Sequence, residues 1–274
     1  MTSLLVASNL LSDPEGKDLY LRTVTQVPAT DMSALGPLFD EIDRWMNRGP
    51  DWYEVQAGSS LAGDDAATNP HHLSHLVVHA VAVAVDHLHC LRTVIGSAGA
   101  LHLYAPYGLL RPAIEGGAVG VWLLESASRD TRIKRCLRLA NQDIADSEEI
   151  KAILKSTHGL TKEQRIGRLR GIAVNRGLDL SSVLGRYGVE GVVRAAAEST
   201  ASGLGDAMVV LWKVCSGIAH TRTFASFAVS QWEEVNRTAG NVVSARVTAK
   251  EPRPFQDHRS WLNLGGATQR SIAM

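Results

Sequence analysis

Residues 211–222 read LWKVCSGIAHTR, and this stretch decides how the chain folds. Its first half ends an apolar helical run. A serine, a histidine and an arginine then follow within seven positions: Ser216, His220 and Arg222. A helix that is apolar on most of its faces packs inside a protein, so it would carry these polar groups into the interior. The pattern predicts a polar pocket within a bundle of helices.

A second stretch, residues 107–115, reads YGLLRPAIE and predicts the helix that faces the first one. Arg111 and Glu115 are four residues apart, so they share one face of that helix. Two readings of this pocket stay open. In one, Arg111, Glu115 and His220 do chemistry; in the other, they form a buried polar network that fixes helix register.

The composition is that of a globular protein built on helices. The 274 residues carry 28 basic and 28 acidic side chains, and 45% are hydrophobic but only 5% are aromatic. A zero net charge argues against a strongly basic nucleic-acid surface, although a local patch stays open. The three cysteines, Cys90, Cys136 and Cys215, are odd in number and far apart. They predict reduced core thiols in a cytosolic protein.

Neither the first eleven residues nor the longest apolar run predicts a membrane partner. The first eleven residues lack a preceding positive charge and a convincing cleavage site, so a signal peptide is not expected. The apolar run 76–85 contains His79 and ends at Asp86, which makes it too short to span a bilayer.

Hydrophobic periodicity predicts an all-α fold, a multi-helix bundle with a short C-terminal β-hairpin. We expect an N-terminal arm at 1–30, the bundle at 31–222, the hairpin at 223–250 and a tail at 251–274. The predicted helices span 32–47, 69–97, 103–125, 129–156, 161–175, 189–199 and 204–219. The predicted strands span 224–235 and 242–247.

Finer features follow from residue type. Residues 51–68 are rich in Gly, Ser, Asp and Ala, which favours a mobile loop. Asn69 and Pro70 are typical of an N-cap and a first helical position. The charged helices 129–156 and 161–175 are predicted to lie on the outside. Glycine inside a helix lowers its stability, so glycines there predict close contact with neighbouring helices. The helix 103–125 contains four of them: Gly108, Gly116, Gly117 and Gly120.

A histidine cluster offers an alternative site. His72, His75 and His79 are spaced by three and four residues, so they share a helix face and could bind zinc or a di-iron pair. The simpler reading is a set of partly exposed histidines at a helix start. The sequence has no Glu-x-x-His motif, no phosphate-binding loop, no nucleophile elbow and no dinucleotide fingerprint. We therefore predict no metal and no cofactor.

The stretch 109–115 with Trp122, followed about a hundred residues later by Trp212 and 216–220, resembles bacterial helical proteins related to the HEPN and abortive-infection groups. The resemblance covers roughly residues 70–222. It implies a helical bundle, a homodimer, and a metal-independent ribonuclease of toxin–antitoxin or phage-defence systems. In that family an arginine precedes the histidine on one helix. Here Lys213 holds the nearest basic position, so Arg111 or Arg222 would have to substitute.

The resemblance also implies roles for the pocket residues. His220 would act as acid or base, because its ordinary pKa near 6.5 suits proton transfer at neutral pH. Arg111 or Arg222 would bind phosphate. Glu115 would orient a neighbour, and Ser216 would donate a hydrogen bond. RNA, an antitoxin or another protein would be partners in the cytoplasm. The alternative is a non-enzymatic bundle that dimerises or binds a partner.

Overall fold

The computed structural model describes residues 10–11, 20–21, 24–26, 35–49, 53–238 and 242–249. Within these residues the chain forms ten α-helices. They are α1 Gly36–Met46, α2 Ser60–Thr68, α3 Leu73–Arg92, α4 Ala105–Leu124, α5 Arg129–Leu154, α6 Lys162–Asn175, α7 Leu180–Val183, α8 Val189–Thr200, α9 Leu204–Ala219 and α10 Thr223–Val229. The predicted all-α bundle is confirmed, and the predicted bounds of α9 match.

Six short strands accompany the helices in three antiparallel pairs. They are β1 Leu10–Leu11 with β2 Tyr20–Leu21, β3 Val24–Gln26 with β4 Ala100–His102, and β5 Ser230–Thr238 with β6 Val242–Ala249. The last pair is the predicted C-terminal hairpin. Strand β4 was not predicted, because three residues are too few to show an alternating pattern. The predicted tail 251–274 lies outside the described residues.

The chain divides into two compact units that interleave along the sequence. The first unit comprises Met1–Ile42, His87–Arg111 and Val210–Met274, and the second comprises Asp43–Asp86 and Pro112–Val209. Helices α1, α3, α4 and α9 each contribute to both units. The segment bounds drawn from the sequence stay a prediction.

The core of the second unit forms where α5 meets α6 and α7. Its buried side chains are Ile133, Leu137, Ala140, Ile144, Leu169, Ala173 and Val183. The prediction that α5 and α6 are outer, solvated helices is therefore wrong for one face of each. The apolar residues of α5 recur every three or four positions, so they form a stripe that the many charged residues of that helix obscured in the sequence.

Helix α2 lies where a mobile loop was predicted. The side chain of Ser59 caps it by accepting the backbone N–H of Ala62 at 3.1 Å. Asp64, with 1% of its side chain exposed, accepts hydrogen bonds from Arg132 Nε at 2.7 Å and Nη2 at 3.1 Å. Arg129 Nε donates to the same carboxylate at 3.0 Å. Contacts with α5 thus stabilise a helix that its own composition does not favour.

Helix α3 begins four residues later than predicted. Asn69 is the C-cap of α2 and not the N-cap of α3, and α3 starts at Leu73. Asp65 accepts the backbone N–H of Ser74 at 2.8 Å and its hydroxyl at 2.6 Å, so this carboxylate supplies the acceptor at the start of α3. The helix ends at Arg92, and a π-helical turn follows at Thr93–Ser97.

Two glycines of α4 permit the close helix contact that the sequence predicted. A Cβ atom added to Gly116 would lie 2.5 Å from the carbonyl oxygen of Ala80, and one added to Gly120 would lie 3.4 Å from Val81. Both contacts are with α3 inside the second unit. A Cβ atom at Gly108 or Gly117 would meet no atom within 4 Å, so the predicted close contact is absent at those two positions.

In the first unit, helix α10 occupies the start of the segment predicted as a strand. Residues Thr223–Val229 are helical, and β5 begins at Ser230, which pairs with Ala249. The Phe227 and Trp232 rings lie 4.6 Å apart, and Trp232 Nε1 donates to Ser230 Oγ at 2.7 Å. These contacts join α10 to the hairpin and explain why the strand starts later than predicted.

Among the described residues, one helical segment, Leu73–Ser97, is long and apolar enough to cross a membrane when judged by length and composition. An 18-residue stretch within this segment has a mean hydropathy of 1.3, and 22% of that stretch is buried. A core helix of a globular protein meets the same criterion. The expectation of no membrane partner stays a prediction.

We predict that Asp64→Asn lowers the free energy of unfolding by about 3 kcal/mol, because it leaves the buried guanidinium of Arg132 without its counter-charge. Urea denaturation of the full chain measures this. Asp130→Asn is the matched control. Asp130 pairs with Arg176 at 2.8 Å on the surface, with 53% of its side chain exposed, so its loss should cost at most about 1 kcal/mol. Equal effects of the two substitutions would contradict the prediction.

Candidate functional site

The first unit brings Arg111 of α4 and His220 into direct contact. Nη1 of Arg111 lies 3.0 Å from Nε2 of His220, although the two residues are 109 positions apart in the chain. A guanidinium can only donate, so the imidazole nitrogen must accept. This assigns the ring proton to Nδ1 while the contact exists. The contact is exposed, so a ligand can reach both groups from solvent.

The position of His220 is set by the turn that ends α9. Thr221 adopts a left-handed backbone with φ +55° and donates its N–H to the carbonyl of Ile218 at 3.0 Å. Arg222 donates its N–H to the carbonyl of Gly217 at 2.7 Å. Together the two bonds form a Schellman motif in which His220 is the last residue before the turn. The turn therefore fixes the backbone that carries the imidazole.

Gly217 is required at this helix end. A Cβ atom there would lie 2.6 Å from Cβ of Ala225 and 2.8 Å from the Phe224 ring. Because these atoms belong to α10, the glycine lets α10 pack against the last turn of α9. Gly217 thus allows the chain to turn back directly after α9.

Two further side chains are linked electrostatically to the pair, Cys215 to Arg111 and Tyr107 to Cys215, and the sequence did not identify them as site residues. Cys215 is fully buried, and burial raises the pKa of its thiol to about 11 even though the charge of Arg111 opposes the rise. Burial also raises the pKa of Tyr107, with a smaller contribution from Cys215. Tyr107 precedes Arg111 by four residues, and that spacing was the signal that could have identified it.

The other three predicted site residues have different surroundings. Ser216 is partly buried, and its carbonyl accepts the N–H of His220 at 3.0 Å; within the described residues its hydroxyl makes no hydrogen bond. Arg222 is exposed and is the N-cap residue of α10. Glu115 lies on the part of α4 that belongs to the second unit, where its charge adds to the burial that raises the pKa of Tyr187 to about 12.

The histidine cluster does not form a metal site in the part of the chain that is described. The rings of His72 and His75 lie 4.9 Å apart, while His75 and His79 line a cavity of about 530 Å³ together with Tyr53 and Glu54. No group of three or more His, Cys, Asp or Glu side chains among these residues is arranged to hold a metal ion.

Comparison with known proteins gives no match to a family model, to a curated protein or to a solved structure. The resemblance to the HEPN group therefore stays a prediction, carried by the short motifs in the sequence.

The left-handed turn leads to a stability prediction. A β-branched residue with positive φ is strained, and glycine is the residue preferred at this position. We expect Thr221→Gly to raise the free energy of unfolding by about 1 kcal/mol. The same change at Thr223, which lies in α10, should lower it because glycine disfavours a right-handed helix. Chemical denaturation measures the free energy of unfolding of each variant. A decrease for both substitutions would contradict the prediction.

The thiols give a second test. The chain has three free cysteines, of which Cys90 is exposed while Cys136 and Cys215 are buried; the prediction of core thiols is thus wrong for Cys90. Burial raises the pKa of Cys136 to about 12 and that of Cys215 to about 11, so both stay protonated near pH 8. A disulfide reagent should label one thiol rapidly in the folded protein and three after denaturation. Rapid labelling of two or more native thiols would contradict this.

Proposed function

We propose that this protein cleaves RNA at the Arg111–His220 pair. The observation that supports the proposal is the 3.0 Å contact between a guanidinium and an imidazole nitrogen at an exposed site. Cleavage at a 2′-hydroxyl needs a base for that hydroxyl and a cation for the charge that develops on the phosphate. A histidine and an arginine in contact supply these two functions.

In the proposed mechanism Arg111 exchanges partners when RNA binds. A phosphate offers two charged oxygens in the plane of the guanidinium, so it is a stronger acceptor for arginine than a neutral imidazole. Once Arg111 donates to phosphate, Nε2 of His220 is available to accept the proton of the 2′-hydroxyl. The 2′-oxygen then bonds to phosphorus and the bond from phosphorus to the 5′-oxygen breaks. The leaving oxygen takes a proton from solvent.

The alternative is a non-enzymatic helical bundle in which the same contact fixes how α4 and α9 pack. Buried networks fulfil that role, because an unpaired polar group in a low-dielectric interior is costly. An exposed hydrogen bond stabilises a fold by about 1 kcal/mol or less, since water competes for both groups. The exposure of His220 therefore favours the catalytic proposal over the structural one.

The biological setting is proposed from the family resemblance. A metal-independent ribonuclease of this kind would act in the cytoplasm in phage defence or as a toxin controlled by an antitoxin. We also propose a homodimer, as in that family. Gly116 and Gly120 contact α3 of the same chain, so they are not free to form the dimer surface. The exposed side chains of Val121 and Leu124 on the same helix remain for it.

The proposal predicts loss of RNA cleavage when either member of the pair is removed. His220→Ala should slow cleavage of a single-stranded RNA by about 10² to 10⁴ because the base is lost. Arg111→Ala should slow it by about 10² to 10³ because the phosphate charge is no longer stabilised. Gel analysis of an end-labelled oligonucleotide under single-turnover conditions measures both rates.

Three controls make the result specific. The DNA oligonucleotide of the same sequence should not be cleaved, because it lacks the 2′-hydroxyl. His75→Ala, which removes an exposed histidine elsewhere in the chain, should leave the rate unchanged. His220→Ala should change the free energy of unfolding by no more than about 1 kcal/mol. A large loss of stability with no cleavage by the native protein would instead support the structural alternative.

A further inference from the structure

A second polar site lies in the second unit, between the C-terminal end of α5 and the first turns of α6. It is a cavity of about 350 Å³, which lies at the lower end of the range of small-molecule pockets. Its lining consists of His71, Lys151, His158, Gly159, Leu160, Arg165 and Arg168. Five of these seven residues carry basic side chains, and none is acidic.

The cavity has an excess of positive charge even after its nearest carboxylates are counted. Glu148 accepts from Lys151 at 3.1 Å and from Arg165 at 3.2 Å, and the charge of Asp143 also acts on Arg165. Two carboxylates therefore oppose three permanent cations. The third cation, Arg168, makes no ion pair with a carboxylate of the described residues. Like charges held this close favour an anionic ligand.

The loop that forms one wall is held in place by its own contacts. Lys151 Nζ donates to the carbonyl of Leu160 at 3.1 Å, which ties the loop to α5. Thr161 then forms a capping box with Gln164 and starts α6. Gly159 has φ +81°, a conformation that residues with side chains rarely adopt. The cavity wall is thus preorganised.

The imidazole of His71 adds an unused polar group. Its Nε2 atom is shielded from solvent and has no hydrogen-bond partner among the described residues. Burial is the largest influence that lowers the pKa of His71, followed by the charges of Arg165 and Arg168. A buried polar atom without a partner costs free energy, and an oxygen of a ligand would relieve that cost.

We propose that this cavity binds a small ligand through a phosphate group. Arg168 and Arg165 would donate to the phosphate oxygens. The ring of His71 also lines the cavity, and a rotation of that ring would bring its Nε2 atom to the same phosphate. Phosphate fits this set better than a carboxylate, because it offers three oxygens and up to two negative charges to several donors at once. The small volume favours a free phosphorylated molecule over a nucleic-acid backbone.

Inorganic phosphate titrated into the full chain at constant ionic strength, balanced with chloride, tests the proposal. Calorimetry should show saturable binding of one phosphate. Arg168→Ala should weaken it at least tenfold, because it removes a direct donor. Arg170→Ala is the matched control: it removes the same charge from an exposed position of α6 that does not line the cavity. Its effect should stay below twofold.

A nuclear magnetic resonance titration of the histidines supplies a second measurement. Phosphate should raise the pKa of His71, because its charge offsets those of Arg165 and Arg168. His158 lines the same cavity, so its resonances should also shift when phosphate is added.

Several results would overturn the proposal. These are an absence of saturable phosphate binding, equal weakening by the two arginine variants, and a His71 pKa unchanged by phosphate. Binding of a single-stranded RNA that depends on Arg168, without binding of phosphate, would assign the site to nucleic acid instead.

Discussion

The arrangement of helices in the second unit depends on one buried carboxylate. Asp64 is removed from water almost completely, and burial of a lone charge costs several kcal/mol. Arg132 offsets this cost through two contacts with the carboxylate, and its remaining Nη1 group donates to the carbonyl of Ser126 at 2.7 Å. One guanidinium therefore joins α2, α5 and the segment that precedes α5.

This ion pair also constrains its neighbours. A Cβ atom at Gly63 would lie 2.6 Å from Nη2 of Arg129, so a larger residue there would require the second arginine on Asp64 to shift. Behind the pair, the same helix α5 turns its apolar stripe to α6 and α7, beginning with Ile133 beside Arg132. The ion pair between Asp64 and Arg132 sets the position of α5, and the apolar stripe of α5 then forms the core with α6 and α7.

The sequence predicted the long helices whose stability comes from their own pattern and missed α2, which depends on distant contacts. The bounds of α9 were predicted correctly because an apolar run, Ala207 to Trp212, forms its centre and apolar residues recur on both sides. Helix α2 was taken for a loop because Gly, Ser and Asp are weak helix formers, and the contact that stabilises it comes from Arg132, 68 residues away. Periodicity reports local pattern, whereas the pairing of α2 with α5 is a tertiary property. The outward assignment of α5 failed for a different reason: its apolar stripe is present in the sequence, but the many charged residues of that helix obscured it.

The residues of the candidate site, too, were only partly predictable from the sequence. The sequence singled out His220 and left Arg111 and Arg222 as alternatives for the arginine that its helix lacks. Of these two, Arg111 lies 3.0 Å from His220. The sequence could not identify Cys215 or Tyr107, because their importance lies in burial and in electrostatic linkage to the pair and not in a motif. The roles of Glu115, Ser216 and Arg222 remain predictions.

Both candidate sites place arginine side chains around an imidazole, and the chemistry of arginine explains what such a site can do. Arginine has only donors, so a histidine nitrogen in hydrogen-bond contact with it must offer its lone pair. At His220 the lone pair accepts from Arg111 until an anion competes for the guanidinium. At His71 the Nε2 atom has no partner among the described residues, and burial followed by the charges of the two arginines lowers the pKa of the ring. An arriving phosphate would satisfy the guanidinium in either case. It would free a base at His220 and supply the missing partner at His71, so the same pair of residue types favours chemistry in one place and binding in the other.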